Sequence, residues 1–217
     1  MATAIILGAT GLVGRQLLPL LLEDDRFTEV RAVLRRSTHL DHPKLREIIV
    51  DFDRLEEWSK EIKGEVLFST FGTTAKQAGS QEAQYQVDYT YQFAVARIAA
   101  ENGTTDYVLV STPGADPEAR FFYPRIRGEL DRDVQQLDFK RIRIIRPSFL
   151  VGQRENNRMG ESLGIRIARL LQSVPFLKKF RPIKGEVVAT AMQNAYQPTS
   201  TERVQLFEWE EVFQLAK

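Results

Sequence analysis

The sequence predicts an α/β fold, in which a doubly wound parallel sheet carries helices on both faces and a small helical lobe lies near the C-terminus. First, short apolar runs of strand length alternate along the chain with longer segments of helical pattern. Second, the first apolar run leads directly into a glycine-rich turn and a helical segment. Third, 217 residues, of which 43% are hydrophobic, suit one domain over residues 1–217 with a sizeable core.

Six apolar runs predict the strands of the sheet. In chain order they span residues 3–8, 30–36, 45–52, 65–72, 106–112 and 141–147. Their alternation with helical segments is typical of parallel strands that are joined by crossover helices.

Helical patterns fill the intervals between these runs. They span residues 11–25, 81–102 and about 123–138. Pro19 lies inside the first helix, which it should kink or destabilise by about 3 kcal/mol. Gly103 follows the second helix and suits its C-terminal cap.

Beyond Gly152 the pattern becomes less regular. Residues 160–174 predict an amphipathic helix, whose apolar side chains share one face. Two short elements follow near residues 186–196 and 208–216. We expect residues of about 153–185 to form a small lobe on the substrate side of the domain.

The composition excludes several classes of function. The chain has no cysteine, which rules out disulfides, thiolate catalysis and cysteine-ligated metals. His39 and His42 have no acidic or cysteine partners at ligand spacing, so no metal site is predicted. A formal net charge of +1 gives no overall field that would attract nucleic acid, and no nucleic-acid partner is expected.

The N-terminal segment bears on location. The opening MATAIILGATGLVG lacks the basic region of a signal peptide. No apolar run approaches the ~18 residues of a membrane span. The sequence therefore predicts a soluble, cytoplasmic protein.

Positive charge is concentrated in one part of the chain. Residues 141–184 contain 11 basic residues and two acidic ones, Glu155 and Glu161. Either these cations form a solvated helix face, or they form a surface for an anionic ligand. The second interpretation predicts an anionic substrate.

The glycine-rich turn LGATGLVG has a specific physical interpretation. Gly8, Gly11 and Gly14 follow a strand at three-residue spacing and open a helix. This spacing permits a tight turn, lets backbone N–H groups approach a pyrophosphate and lets the helix pack closely on the strand. The helix N-terminus also favours an anion. The turn therefore predicts a dinucleotide-binding Rossmann fold.

The end of the second predicted strand discriminates between dinucleotides. Sites for NAD and FAD usually place a carboxylate there, on the ribose 2′-hydroxyl. This chain has LRRS instead, with Arg35 and Arg36 at that place. Two guanidiniums suit a 2′-phosphate in charge and in bidentate geometry, so NADP(H) is predicted in preference to NAD(H). The alternative is that both arginines are merely solvated at a strand end.

These motifs resemble the short-chain dehydrogenase/reductase superfamily, in its atypical and extended branch. More narrowly, the chain is similar to the group of Tat-interacting-protein oxidoreductases and their bacterial relatives, which are NAD-dependent epimerase/dehydratase-like. The resemblance covers roughly the first 155 residues, from ILGATGLVGRQLL through VLRRS, LVSTPGAD and YPRIRGELD to IRPSFLVGQR.

The resemblance implies a row of residues along the cofactor phosphates. Besides Gly8 and Gly14, the residues along the pyrophosphate would be Thr10, Gly11, Leu12 and Val13. Arg35 and Arg36 would bind the 2′-phosphate.

The resemblance also implies contacts with the rest of the cofactor. Asp51 would face the adenine, and Phe71 and Gly72 would pass beneath the middle of the cofactor. The backbone near Phe149 would receive the nicotinamide amide. Arg154 would reach the cofactor or the substrate.

The family carries its catalytic chemistry on a Tyr-x-x-x-Lys motif, and this chain has Tyr123 and Arg127 in its place. In the family, the lysine holds the nicotinamide ribose and lowers the pKa of the tyrosine from its usual value of about 10. Pro124 fixes the helix start, and residues four apart share a helix face, so Arg127 can bring a charge close to Tyr123. Ser111 or Thr112 would hydrogen-bond a substrate carbonyl.

Three alternatives stay open for this dyad. It is active with arginine substituting for lysine, or the protein binds the cofactor with little or no turnover, or other groups handle the substrate. Asp88 stands about where extended relatives often carry asparagine, which is a second departure from the family pattern.

The sequence therefore predicts an NADP(H)-binding oxidoreductase, which transfers a hydride to or from a carbonyl or hydroxyl group of a small substrate. The alternative is an NADP(H)-binding regulatory or scaffold protein with little or no catalytic turnover. The substrate is not identified, and a homo-oligomer stays open.

Overall fold

A computed structural model describes residues 2–151 and 181–217, and a parallel β-sheet lies at its centre. The strands are β1 (Ala2–Leu7), β2 (Phe27–Leu34), β3 (Leu45–Ile49), β4 (Val66–Ser69), β5 (Asp106–Val110), β6 (Arg141–Arg146), β7 (Leu150–Val151), β8 (Ile183–Lys184) and β9 (Val204–Glu208). The main sheet has seven strands in the order β3-β2-β1-β4-β5-β6-β9, and all its neighbours are parallel. β7 and β8 pair separately.

Helices connect the strands. They are α1 (Gly14–Glu23), α2 (Leu55–Trp58), α3 (Ala75–Ala78), α4 (Gln81–Tyr85), α5 (Gln92–Glu101), α6 (Phe122–Val134), α7 (Gly185–Ala195) and α8 (Glu210–Leu215). A 3₁₀ turn (Ser59–Glu61) follows α2, and a π-helical segment (Gln86–Tyr91) joins α4 to α5. The helix predicted over 81–102 therefore forms, with a π segment at its middle. α1 continues through Pro19 to its end.

The two faces of the sheet are covered by different helices. Alternate residues of β1 point to opposite faces, so Ile5 and Ile6 belong to different core clusters. Ile6 packs with Leu17 of α1 and Met192 of α7, whereas Ile5 packs with Leu130 of α6. Burial on both faces explains why the strands read as continuous apolar runs. The predicted doubly wound α/β fold is confirmed.

The outermost strand was not predicted. The sequence indicated a short element near 208–216, where the chain forms α8, but it gave no sign of β9 directly before it. Among the described strands, β9 pairs with β6 alone, at the edge of the sheet, and Leu206 in its middle is exposed. A strand at a sheet edge buries less apolar surface, so its sequence, VQLFE, carries a weaker pattern.

The C-terminal predictions are only partly within the described residues. The lobe predicted over about 153–185 lies largely outside them, as do the helix predicted over 160–174 and most of the basic segment 141–184. Within the described ranges, no helix is both long enough and apolar enough to cross a bilayer.

The strand order contains a switch between β1 and β4. From β1 the chain proceeds outward to β2 and β3, and then returns to β4 on the other side of β1. In open α/β sheets, ligands bind in the crevice at the carboxyl ends of the strands at such a point. Gly8, Arg35 and Thr70 directly follow β1, β2 and β4, so they border this crevice.

Candidate functional site

The glycine turn after β1 is held tightly against the loop after β4. Gly8 has φ +87°, and a Cβ on it would lie 2.7 Å from the backbone nitrogen of Phe71. A Cβ on Gly14 would lie 2.0 Å from the carbonyl oxygen of Gly8. Thr70 Oγ1 donates a hydrogen bond to that same oxygen at 3.0 Å. Side chains at these two glycines would therefore displace the turn from β4 and from α1.

The amides of the turn are partly available to a ligand. Gly11 N donates to Gly8 O at 3.0 Å, which closes the turn. Among the described residues, the amides of Leu12 and Val13 donate no hydrogen bond, and both precede the first turn of α1. Uncommitted N–H groups at a helix N-terminus form an anion-binding site.

A cleft of about 640 Å³ opens beside this turn. Its walls come from the ends of β1, β2 and β4, and the lining residues are Gly8, Thr10, Gly11, Val33, Leu34, Arg35, Arg36, Ser37, Phe52, Thr70, Phe71 and Gly72. The structure therefore brings the glycine turn, both predicted arginines and both residues predicted beneath the cofactor into one space.

Arg35 and Arg36 are exposed at the mouth of this cleft. In residues 2–151 and 181–217, neither guanidinium forms an ion pair with a carboxylate. Two uncompensated cations beside amides that favour an anion make this end of the cleft electropositive.

A second cavity of about 280 Å³ adjoins the cleft, and Asp51 lines it. The ring of Phe52 lies 5.1 Å from that of Phe71 and 5.3 Å from that of Tyr91. Tyr91 donates a hydrogen bond of 2.5 Å to Asp53 Oδ1, and burial together with this bond raises the pKa of Tyr91. Flat apolar walls with carboxylates at the rim suit a heteroaromatic ring that has an amino group.

Two further residues, Phe149 and Arg154, were predicted to contact the cofactor. Phe149 follows β6 with 67% of its surface exposed, and its carbonyl accepts a hydrogen bond from Ile183 N at 2.9 Å. That carbonyl is therefore already used in a hydrogen bond that joins residue 149 to residue 183. Arg154 lies outside the described residues.

Ser111 is buried after β5 and is bound to an acidic residue that the sequence analysis missed. Its hydroxyl donates to Asp131 Oδ2 at 2.8 Å. Arg146 Nε and Nη2 donate to the same oxygen at 3.0 and 2.9 Å. Burial raises the pKa of Asp131, against the opposing charges of Arg127 and Arg146. The proton of Ser111 is thus directed to the buried carboxylate of Asp131.

Thr112 differs from its neighbour. It is partly exposed, and its hydroxyl makes no hydrogen bond to a described residue. Thr112 is therefore the residue of the two whose hydroxyl is available to a ligand.

The predicted dyad is separated by burial. Tyr123, in the first turn of α6, has 40% of its surface exposed, whereas Arg127, one turn later, has 2%. Arg127 Nη1 donates to the carbonyl of Asp88 at 3.2 Å, and Nη2 donates to the carbonyl of Val110. The carboxylate of Asp88 lies 4.0 Å from Nη1. Arg127 therefore ties the π segment to the end of β5.

The missed residue Asp131 had a signal in the sequence. Tyr123, Arg127 and Asp131 are spaced four residues apart along α6 and share one helix face. Arg146, its partner, is the last residue of β6 and lies in the predicted strand RIRIIRP, where alternation places it on the same face as Ile142 and Ile144. The spacing was visible, but the pairing across α6 and β6 was not.

Comparison with known proteins identifies the family. A family described as NAD(P)H-binding matches residues 8–150, which include the glycine turn, both arginines and the dyad. The chain belongs to the NAD(P)H-binding family.

One relative of this NAD(P)H-binding protein is Protein FMP52, mitochondrial, of Saccharomyces cerevisiae. It is 36% identical over 186 residues, which are 83% of this chain and 79% of the relative. Proteins of the same name from other organisms are similarly related. Because these relatives are named mitochondrial proteins, the prediction of a cytoplasmic location was wrong.

Solved structures of similar fold bind dinucleotides and sugar nucleotides. MoeE5 in complex with UDP-glucose and NAD matches with a TM-score of 0.70 at 14% identity, over 99% of this chain and 80% of that chain. The UDP-glucose 4-epimerase of Thermotoga maritima, with UDP-glucose, matches with a TM-score of 0.68 at 14% identity, over 99% and 81%. The likeness concerns the fold, and it confirms the predicted resemblance to epimerase/dehydratase-like Rossmann proteins.

Proposed function

We propose that this NAD(P)H-binding protein is an oxidoreductase that uses NADP(H) and acts on a carbonyl or hydroxyl group of a small substrate. The observation that carries the proposal is the cleft, which the glycine turn borders on one side and Arg35 and Arg36 border on the other. Helix-terminal amides suit a pyrophosphate, and paired guanidiniums suit a further phosphate on the ribose.

The choice of NADP(H) over NAD(H) rests on the charge at the end of β2. A 2′-phosphate gains charge-assisted hydrogen bonds from exposed arginines, whereas a 2′-hydroxyl gains little from them. Arg35 borders both the cleft and the smaller cavity, so it lies between the proposed places of the 2′-phosphate and the adenine.

The proposed chemistry uses two hydroxyl groups, which belong to Tyr123 and Thr112. In carbonyl reduction the nicotinamide supplies a hydride to the substrate carbon, and the substrate oxygen takes up a proton. Tyr123 would donate that proton, and Thr112 would hold the oxygen by a hydrogen bond. Ser111 is the less suitable donor because its proton is directed to Asp131.

Calorimetry with NADPH and with NADH tests the cofactor assignment. We expect NADPH to bind more tightly, by at least about tenfold, and this advantage should shrink as ionic strength rises. Equal affinities at low salt would contradict the assignment to NADP(H). Failure of both dinucleotides to bind would sink the proposal as a whole.

The surroundings of Arg127 favour a second candidate, an NADP(H)-binding regulatory protein with little turnover. Its guanidinium is committed to two backbone carbonyls and to the carboxylate of Asp88. In this state it is not available to hold a ribose. Oxidation of NADPH with a panel of aldehydes and ketones separates the candidates, with Tyr123→Phe as the control. Turnover that needs the phenol supports the enzyme, and binding without turnover supports the regulator.

A further inference from the structure

Asp88 lies between the cofactor cleft and the dyad. Its side chain is 1% exposed, and Oδ1 accepts a hydrogen bond from Thr73 N at 3.2 Å. Oδ1 also lies 2.8 Å from the position that a Cβ on Gly72 would take. Since Gly72 lines the cleft, a carboxylate stands directly behind the cleft wall.

The same carboxylate faces the cation of the dyad. Arg127 Nη1 lies 4.0 Å from Asp88 Oδ1, and the side chains of both residues are at most 3% exposed. Opposite charges at this separation interact strongly when water is excluded, and removal of one leaves the other uncompensated. In the folded protein the two therefore act as a pair.

The π segment (Gln86–Tyr91) sets the position of Asp88. The carbonyl of Asp88 accepts hydrogen bonds from Gln92 Nε2 at 2.8 Å and from Arg127 Nη1. Gln92 is in turn fixed through Oε1, which accepts from Ser69 Oγ at 2.8 Å. A π segment widens the helix by one residue, and such segments occur often at functional sites.

Two further ionisable groups interact with Arg127. They are Tyr107 of β5 and Asp131 of α6, and Asp131 also interacts with Arg146 of β6. Asp131 takes two hydrogen bonds from Arg146, whose Nη1 also binds Glu208 at 2.9 Å. Asp131 is hydrogen-bonded to Arg146, although the charge of Arg127 also acts on it. Among the described residues, Asp88 is the carboxylate that forms an ion pair with Arg127.

We infer that Asp88 is a positioning residue that neutralises Arg127 and so withholds its positive charge from Tyr123. This inference rests on the proposed role of Tyr123 in proton transfer. An uncompensated cation four residues along α6 would favour the phenolate, which is a base. With the cation neutralised, the phenol keeps its proton near neutral pH. Tyr123 is then suited to donate a proton, which is the step that carbonyl reduction requires.

The titration of Tyr123 tests this inference without any substrate. Tyrosine labelled with ¹³C at Cζ gives NMR signals whose shifts report ionisation, and Tyr123→Phe identifies the signal of Tyr123. Four proteins are compared: wild type, Asp88→Asn, Arg127→Gln and the double variant. We expect the pKa of Tyr123 to fall by about one unit in Asp88→Asn and to rise by a similar amount in Arg127→Gln. In the double variant it should equal the wild-type value, because both charges are absent.

Each result decides the question. A double variant in which the pKa of Tyr123 rises would show that Arg127 already acts on Tyr123, which overturns the inference. Equal values in all four proteins would make the pair purely structural and would also overturn it. Asp131→Asn is the matched control, and a shift there as large as in Asp88→Asn would assign the counter-ion to Asp131 instead. Should Asp88→Asn fail to fold, the double variant and Arg127→Gln still distinguish these outcomes.

Cofactor binding is measured separately, by calorimetry of NADPH with the wild type and the double variant. If the wild type does not bind NADPH, the proposed function is contradicted, and the result of the tyrosine titration still stands. Normal binding with unshifted tyrosine signals would sink only the inference about Asp88.

Discussion

The cleft and the surroundings of the predicted dyad are built in different ways. The end proposed for the phosphates comes from two short segments, residues 8–14 and Arg35 with Arg36, whose roles depend on backbone shape and exposed charge. The predicted dyad depends on Arg127, which is buried and is held by groups from the π segment and from β5. The phosphate end is local in sequence, and the surroundings of the dyad are assembled by the fold.

This difference has a physical consequence. Backbone amides and exposed guanidiniums need no buried partners, so a change there alters ligand binding directly. A buried polar group must be satisfied by others, and a change there disturbs several neighbours at once. We therefore expect variants at the phosphate end of the cleft to affect cofactor affinity, and variants around the predicted dyad to affect proton transfer and stability.

The largest effect is expected from Gly14→Ala. The new Cβ would lie 2.0 Å from Gly8 O and 2.6 Å from Thr70 Oγ1, so the turn must move away from α1. We expect the free energy of unfolding to fall by about 3 kcal/mol and NADPH binding to be lost. Urea denaturation and calorimetry measure the two quantities.

Gly103→Ala is the matched control. Gly103 has φ +89°, but in the described part of the chain no atom outside its immediate neighbours lies within 4 Å of its added Cβ. Only backbone strain of about 1 kcal/mol is expected there, with NADPH affinity unchanged. If Gly14→Ala bound NADPH as tightly as Gly103→Ala does, the glycine turn would not be the phosphate site.

The next effect is expected from replacing Arg35 and Arg36 together by alanine. Loss of two charge-assisted hydrogen bonds should weaken NADPH binding by about 100-fold, which corresponds to about 2.7 kcal/mol. NADH affinity should change little, because it lacks the 2′-phosphate. Arg97→Ala removes an exposed cation on α5 and serves as the control. Parallel losses for NADPH and NADH would mean that the arginines do not recognise the 2′-phosphate.

The fold followed from the sequence wherever local pattern and burial agree. β1, β2 and β4 to β6 are buried on both faces, and their apolar runs predicted them within a few residues. β9 was missed because its side chains are only partly buried at the sheet edge. The π segment was missed because its hydrogen bonds depend on Gln92 and on Arg127 from another helix.

The site divides in the same manner. Gly8, Gly14 and Arg35 could be singled out from the sequence because the role predicted for each depends on a feature that its own segment displays. Asp131 was not found, because a carboxylate on a helix face looks solvated until β6 brings Arg146 against it. The sequence equally could not separate Ser111 from Thr112, since only the fold shows which hydroxyl is already engaged.

A smaller effect, on catalysis, separates these two hydroxyl residues. Thr112→Val should lower kcat/KM for NADPH-dependent carbonyl reduction by up to about tenfold, which is the value of one neutral hydrogen bond, with stability nearly unchanged. Ser111→Ala removes a buried donor from Asp131 and should lower the free energy of unfolding by about 1–2 kcal/mol. Steady-state kinetics and urea denaturation on both variants make the comparison. The reverse result, in which Ser111→Ala loses turnover at full stability, would assign the substrate hydroxyl to Ser111.

The smallest effect is expected from Asp51→Asn at the cavity proposed for the adenine. Asp53 N donates a hydrogen bond to Asp51 Oδ1 at 3.0 Å. The side chain of asparagine keeps an oxygen that can accept this hydrogen bond. Only the charge is lost, and at an exposed rim this should weaken NADPH binding by about threefold.

Asp53→Asn tests whether the carboxylates of this rim are interchangeable. Asp53 accepts the hydroxyl of Tyr91, which holds one aromatic wall of the cavity against Phe52. Its replacement should therefore lower stability slightly and leave the calorimetric affinity for NADPH unchanged. A larger loss of affinity in Asp53→Asn than in Asp51→Asn would assign the adenine contact to Asp53. The shape of the aromatic wall, rather than either charge, would account for binding if both variants match the wild type, because a flat ring gains most of its free energy from apolar burial.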